Sequence, residues 1–118
     1  MARKSLKINS PVERCSLVKS PKCQVARSRE YAKWFKALAD PTRIRILNLL
    51  ATNQQPVCVR DIVKHFPVGQ PTISHHLKLL RAVRFVLCER RGTSMLYRIN
   101  RHCLAEFPRA ARMIMNLS

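Results

Sequence analysis

Gly69-Gln70-Pro71-Thr72-Ile73-Ser74-His75-His76-Leu77-Lys78-Leu79-Leu80 opens as a helix start and continues as a single apolar stripe. Pro71 suits a first turn, where its missing N–H is not needed, and Gly69 or Gln70 fits the N-cap. Ile73, Leu77 and Leu80 recur at i, i+4, i+7 and face a core. Gln70, Thr72, Ser74, His75, His76 and Lys78 are left on the remaining surface, where their donors and acceptors suit base edges and phosphates.

The residues that follow extend this pattern. Phe85 to Glu89 and Met95 to Ile99 are β-prone runs, joined by Arg90-Arg91-Gly92-Thr93-Ser94, with Gly supplying the turn and Arg90 and Arg91 the charge at its tip. A basic ribbon beside a polar-faced helix is the layout with which a winged helix-turn-helix grips phosphates flanking the major groove. Upstream, Asp61 to Phe66 reads as the first helix of the pair, its inner face Ile62, Val63 and Phe66, and Pro67-Val68-Gly69 makes the turn.

Asp40-Pro41-Thr42-Arg43 is a second helix start, with Asp40 as N-cap and Pro41 in the first turn. The helix runs to about Ala51 and is apolar on most sides, which marks a core position. Val57-Cys58-Val59 is short and β-prone, fit for an edge strand against the hairpin. Earlier still, a helix is expected from Cys23 or Gln24 to about Leu38, with Tyr31, Trp34, Phe35 and Leu38 on one side. At the other end Leu104, Phe107, Ala111, Ile114 and Leu117 recur at helical spacing, a natural dimer surface, and Pro108 predicts a kink or a late helix start. The expected fold is mainly α with a small β-hairpin: a winged helix-turn-helix of about five helices and a two- to three-stranded wing. Residues 1–22 are basic, contain Pro11 and Pro21 and lack a sustained period, so they are expected to form a flexible arm ahead of a DNA-binding and dimerisation domain at 23–118.

The chain has 118 residues, with 23 Lys and Arg against 6 Asp and Glu, a net charge of +17 that favours a polyanionic partner, nucleic acid first. No run approaches the roughly 18 apolar residues of a spanning helix, and no secretory leader is visible. Cys15, Cys23, Cys58, Cys88 and Cys103 are an odd number for a disulfide framework, so the expected location is the cytoplasm, with thiols reduced. With so few acids, and no Ser/His/Asp or paired-carboxylate arrangement, the chain offers little for general acid–base catalysis and is not expected to be an enzyme.

Phe35-Lys36-Ala37-Leu38-Ala39-Asp40-Pro41-Thr42-Arg43-Ile44-Arg45-Ile46-Leu47 and, further on, Gln70-Pro71-Thr72-Ile73-Ser74-His75-His76-Leu77 together resemble the ArsR/SmtB metalloregulatory repressors, over about Tyr31 to Asn100. The resemblance implies a dimeric winged-helix repressor that leaves double-stranded operator DNA when an inducer binds. One site of that family is a Cys-x-Cys pair before the recognition helix; here Cys58 matches the first thiol and Arg60 replaces the second. Some relatives complete such a site from an N-terminal extension, which here holds Cys15 and Cys23. Another family site, on the terminal helix, falls at Asn100, His102, Met113 and Asn116, so three of its four ligands are missing.

The donor set implied is therefore Cys15, Cys23 and Cys58, three thiolates that select a thiophilic metalloid, As(III) or Sb(III), as inducer. The neighbouring Arg14, Lys22 and Arg60 favour thiolate. An alternative keeps DNA binding and makes the cysteines a redox or persulfide switch. A further alternative is an architectural nucleic-acid binder without an inducer. Where relatives carry Ala-Gly-Leu-Val after the recognition helix, this chain has Val83-Arg84-Phe85-Val86, so Arg84 must hold a position that glycine usually fills.

Overall fold

The computed structural model describes residues 21–116, and their side chains from residue 27 onward. The elements in order are α1 (Pro21–Leu38), α2 (Pro41–Thr52), β1 (Val57–Cys58), α3 (Val59–Val63), α4 (Gln70–Ala82), β2 (Val86–Arg91), β3 (Ser94–Ile99) and α5 (Arg101–Ile114). This is the mainly helical winged helix-turn-helix that the sequence predicts, with a three-stranded antiparallel sheet in the order β1-β3-β2. The chain divides into two compact units, one containing α1 as far as Phe35 together with α5 from His102, the other residues 36–101.

Within residues 36–101, the predicted start of α2 is realised by Asp40, whose carboxylate accepts from the Arg43 N–H at 3.1 Å. Ile46 and Leu50 of α2, Ile62 of α3, and Ile73, Leu77 and Leu80 of α4 are fully or almost fully buried with Phe85 and Val86. Each such side chain contributes roughly 1.5–3 kcal/mol by leaving water. α3 starts two residues earlier than the sequence suggests and ends at Val63, after which His65 and Phe66 close turns onto Ile62 and Val63. Arg45 caps this segment, donating to the His65 carbonyl at 3.2 Å and stacking over the Phe66 ring at 4.6 Å.

The end of α4 shows how Arg84 replaces glycine. Arg84 has φ +66°, its N–H donates to the Arg81 carbonyl at 2.9 Å, and the Phe85 N–H reaches back to Leu80 at 3.0 Å. These two bonds, with Leu80 and Phe85 both buried, form a Schellman ending. Asn100 fixes it from the far strand, its side chain donating to the Arg84 carbonyl and its N–H to the Phe85 carbonyl, each at 2.9 Å. Left-handed backbone costs a non-glycine residue about 1–2 kcal/mol. Glycine gives back about 0.4–1 kcal/mol of that relief through a more disordered unfolded chain. Arg84→Gly is therefore expected to stabilise the fold by about 0.5–1 kcal/mol, read as a higher urea midpoint in the absence of DNA. A lower midpoint contradicts the strain argument.

In the other unit, α1 begins at Pro21, inside the stretch expected to be an arm, because proline fits a helix's first turn. Residues 1–20 of that expected arm lie outside the described residues. Tyr31 and Trp34 are buried and meet edge to face, and Phe107 of α5 packs against Trp34 and Phe35 with ring centroids 6.2 and 5.0 Å away. Of the kink or late start expected for the terminal helix, the late start is not found: α5 runs from Arg101 through Pro108. Proline there removes one helical hydrogen bond; the Phe107 ring contacts and the burial of Glu106 and Ala110 hold the helix regardless. Ile114 stays half-exposed, and Leu117 lies outside the described residues.

Candidate nucleic-acid interface and thiol site

α4 follows from its sequence as a two-faced helix. With Ile73, Leu77 and Leu80 buried, Gln70, Thr72, His75 and Lys78 are exposed and Ser74 is half-buried. His76 is turned differently. Its side chain is 15% exposed, and its Nδ1 accepts from Arg43 Nη1 at 3.1 Å, with Asp40 Oδ2 3.9 Å away. It faces α2 instead of lying with the other polar residues, because position 76, three residues after Ile73 and four before Leu80, flanks the buried stripe, and a charged partner waits there. The N–H of Arg43, above all, holds the Asp40 carboxyl below its ordinary range, and the charge of Arg43 acts in the same direction against desolvation.

The wing differs from its expected form in one respect. β2 continues through Arg90 and Arg91, Arg91 pairs with Ser94, and Gly92-Thr93 alone makes the turn, with Gly92 at φ +65°. Glycine at the first central position of a two-residue turn matches the twist of the strands, so pairing can extend to the tip. Arg90 and Arg91 are consequently strand residues on opposite faces of the ribbon. Arg91 is tied to Glu89 at 2.6 Å, and both arginines remain exposed.

The expected thiol ligands are not all in view. Cys15 lies outside the described residues; Cys23 is in α1, its side chain undescribed. Cys58 is half-buried at the junction of β1 and α3. The backbone N–H of Arg60, then its guanidinium, hold the Cys58 thiol below the usual thiol range, with Ser94 adding to this and desolvation opposing it. Among the described residues, no three His, Cys, Asp or Glu side chains gather as a metal site. A thiolate-selecting ion is chemically matched to Cys58, and further donors for it must come from elsewhere.

Cys58 lines a cleft of about 240 Å³ with Arg60, Gln70, Thr93, Ser94 and Met95, so one thiol, the first residue of α4 and the wing turn share a cavity. Cys88 is not part of it. Cys58 lies opposite Leu96 and Cys88 opposite Tyr97, neighbouring positions on β3, so the two thiols project from opposite faces of the sheet. On the Cys88 face burial, and then the neighbouring Cys88, push the Tyr97 hydroxyl above its ordinary range, against the charge of Arg81.

The family model described as "Bacterial regulatory protein, arsR family" matches residues 40–86, from the α2 N-cap to the first residue of the wing. The chain is 36% identical over 76 residues to the arsenical resistance operon repressor of Staphylococcus xylosus, covering 64% of this chain and 71% of that protein. It belongs to the ArsR family. An ArsR-like transcriptional regulator from Rhodococcus sp. RHA1 superposes with a TM-score of 0.66 at 27% identity, over 77% of this chain and 84% of that one. A possible ArsR-family regulator from Mycobacterium bovis, whose domain is a homodimeric winged helix-turn-helix in solution, gives 0.65 at 28% identity, over 82% and 89%.

This ArsR-family chain is thus a DNA-binding transcriptional regulator and not an enzyme. No helix among its described residues is long and apolar enough to cross a membrane. Arg43 is the residue that sequence reasoning missed. Besides His76, it donates through Nε to the Ala37 carbonyl at 2.7 Å, and no helical or strand spacing announces partners 6 and 33 residues away.

Proposed function

We propose that the chain is a cytoplasmic, homodimeric repressor that holds double-stranded operator DNA and releases it when As(III) or Sb(III) binds the thiolates of Cys15, Cys23 and Cys58. The observation that carries the reading is the shared cleft: Cys58, Gln70 at the head of the recognition helix and Thr93 at the wing turn line one cavity. The thiol is biased toward thiolate by Arg60, as ligation requires. Arg60 also removes the second thiol of a Cys-x-Cys pair, so the remaining donors are drawn from Cys15 and Cys23 in and beside the basic segment at 1–22. The S. xylosus relative is an arsenical resistance repressor, and the M. bovis relative is a homodimer, which supports the inducer class and the assembly.

On DNA, Gln70, Thr72, Ser74 and His75 are the candidates for base edges, with Lys78, Arg90 and Arg91 on phosphates. Replacing Arg90 and Arg91 by Ala is expected to weaken operator and random duplex alike and to flatten the salt dependence of binding. Gln70→Ala or His75→Ala is expected to cost about 1–3 kcal/mol on operator and little on random duplex. Fluorescence anisotropy across a salt series checks both; equal losses on both duplexes for both sets contradict the assignment.

The decisive experiment titrates the duplex upstream of the chain's own gene with the protein in reductant, with and without arsenite. Tight binding relieved by stoichiometric arsenite is expected. Binding that ignores arsenite removes the inducer, and release by oxidant instead favours the redox alternative. A Cys58–Cys88 bond does not serve that alternative, because two strands lie about 9–10 Å apart, beyond disulfide reach, and the thiols face opposite ways.

A further inference from the structure

Arg43 makes three contacts that join separate elements of residues 36–101. Its Nε donates to the Ala37 carbonyl at 2.7 Å and its Nη2 lies 3.5 Å from the Lys36 carbonyl, both in the last turn of α1. Its Nη1 meets His76 Nδ1 on the recognition helix at 3.1 Å. Arginine can only donate, so His76 Nδ1 must be the acceptor, which places the imidazole in its neutral form with the proton on Nε2. We propose that Arg43 and His76 are positioning residues which seat the recognition helix against the end of α1 for DNA binding, and that protonation of His76 Nδ1 unseats it.

The proton balance is simple. Neutral His76 takes one proton at Nδ1 from solvent, and the lone pair that received Arg43 Nη1–H is used up. Two cationic donors then face each other. The nearest acceptor for the new N–H is Asp40 Oδ2, 3.9 Å from the same nitrogen, about 1 Å beyond a hydrogen bond. Reaching it requires the ring to move toward the α2 N-cap, out of the position in which Nδ1 received the Arg43 guanidinium. Asp40 is already engaged by the Arg43 N–H, so the same carboxylate is asked to serve both the cap and the histidine. The groups facing His76 are therefore Arg43 and Asp40 from α2 and, along its own helix, His75, whose ring centroid is 6.3 Å away.

The direction of the pH effect separates this device from ordinary histidine electrostatics. A cation gained on a DNA-facing surface tightens DNA binding, whereas protonating His76 breaks the seat and loosens it. Asparagine offers an acceptor near the position of Nδ1 and does not titrate, so His76→Asn preserves the contact and removes the switch.

The proposal rests on α4 being the DNA-reading helix, and its test has one arm that does not. In the first arm, anisotropy of the upstream duplex is measured at constant ionic strength from about pH 7.5 to about pH 5.5, spanning the histidine range. The parent chain is expected to lose about tenfold in affinity, within the usual span of coupled equilibria. His76→Asn is expected to bind as the parent does at the upper pH and to lose less than about twofold. A variant that weakens in acid as the parent does, or a parent that tightens, overturns the proposal.

In the second arm, long-range 1H–15N correlation spectra of the free protein report the tautomer. An Nε2-protonated His76 at neutral pH, with the Arg43 guanidinium signals shifting as it titrates, is expected. An Nδ1-protonated neutral ring, or Arg43 signals indifferent to pH, overturns the proposal with no DNA present. Failure of the parent to bind the duplex at neutral pH counts against the repressor reading, and the second arm then decides the Arg43–His76 contact by itself.

Discussion

Cys58→Ser will bind operator as the parent chain does and will not be released by arsenite. The hydroxyl keeps the size of the thiol in the cleft beside Gln70 and Thr93, so the DNA-binding face is unchanged. It does not ionise near neutral pH and is a poor ligand for a thiophilic metalloid. Cys15→Ser and Cys23→Ser will behave the same way, because a three-coordinate site loses its selectivity with any one sulfur. Cys88→Ser and Cys103→Ser will release as the parent does, since Cys88 lies on the other face of the sheet. A tenfold loss of operator affinity on arsenite binding corresponds to about 1.4 kcal/mol of coupling, and it can come only from tighter metalloid binding in the off-DNA state. Anisotropy with and without arsenite in reductant reads the whole series. Normal release from Cys58→Ser would falsify the ligand assignment outright.

Phe85→Ala is expected to destabilise the fold by about 3–5 kcal/mol, the range for removing a fully buried aromatic ring. Phe85 is 0% exposed and sits where the recognition helix passes into the wing. Its N–H closes the ending of α4 onto Leu80, and its carbonyl receives the Asn100 N–H from the far end of β3. Alanine keeps those backbone bonds but leaves a cavity beside Leu80, so helix and wing lose the packing that holds them in one orientation. Against a total stability of about 5–15 kcal/mol, such a loss leaves a marginal domain. Urea denaturation followed by circular dichroism measures it, with Phe85→Leu as a milder companion that retains most of the volume. A loss under 1 kcal/mol for Phe85→Ala contradicts the core assignment.

Several features were legible in the chain because their causes are short-range. Asp40-Pro41 starts α2 through a carboxylate and a proline adjacent in sequence, and Ile73, Leu77 and Leu80 are buried together because helical period alone puts them on one side. The special backbone at Arg84 was implied by the resemblance, whose members carry glycine at that position, and the structure gives it a φ of +66°. The order of these cues along the chain was enough to identify the ArsR-like winged helix and its exposed polar helix face. Tertiary structure alone decided the rest. Arg90 and Arg91 became strand residues because pairing with β3 extends to a two-residue turn, and register depends on both strands at once. Cys58 and Cys88 fell on opposite faces by the same register. His76, one of six polar residues that helical period leaves outside the stripe, is drawn inward by Arg43, 33 residues away. Helical period assigns a face to a side chain, but the partner it meets depends on how distant segments pack.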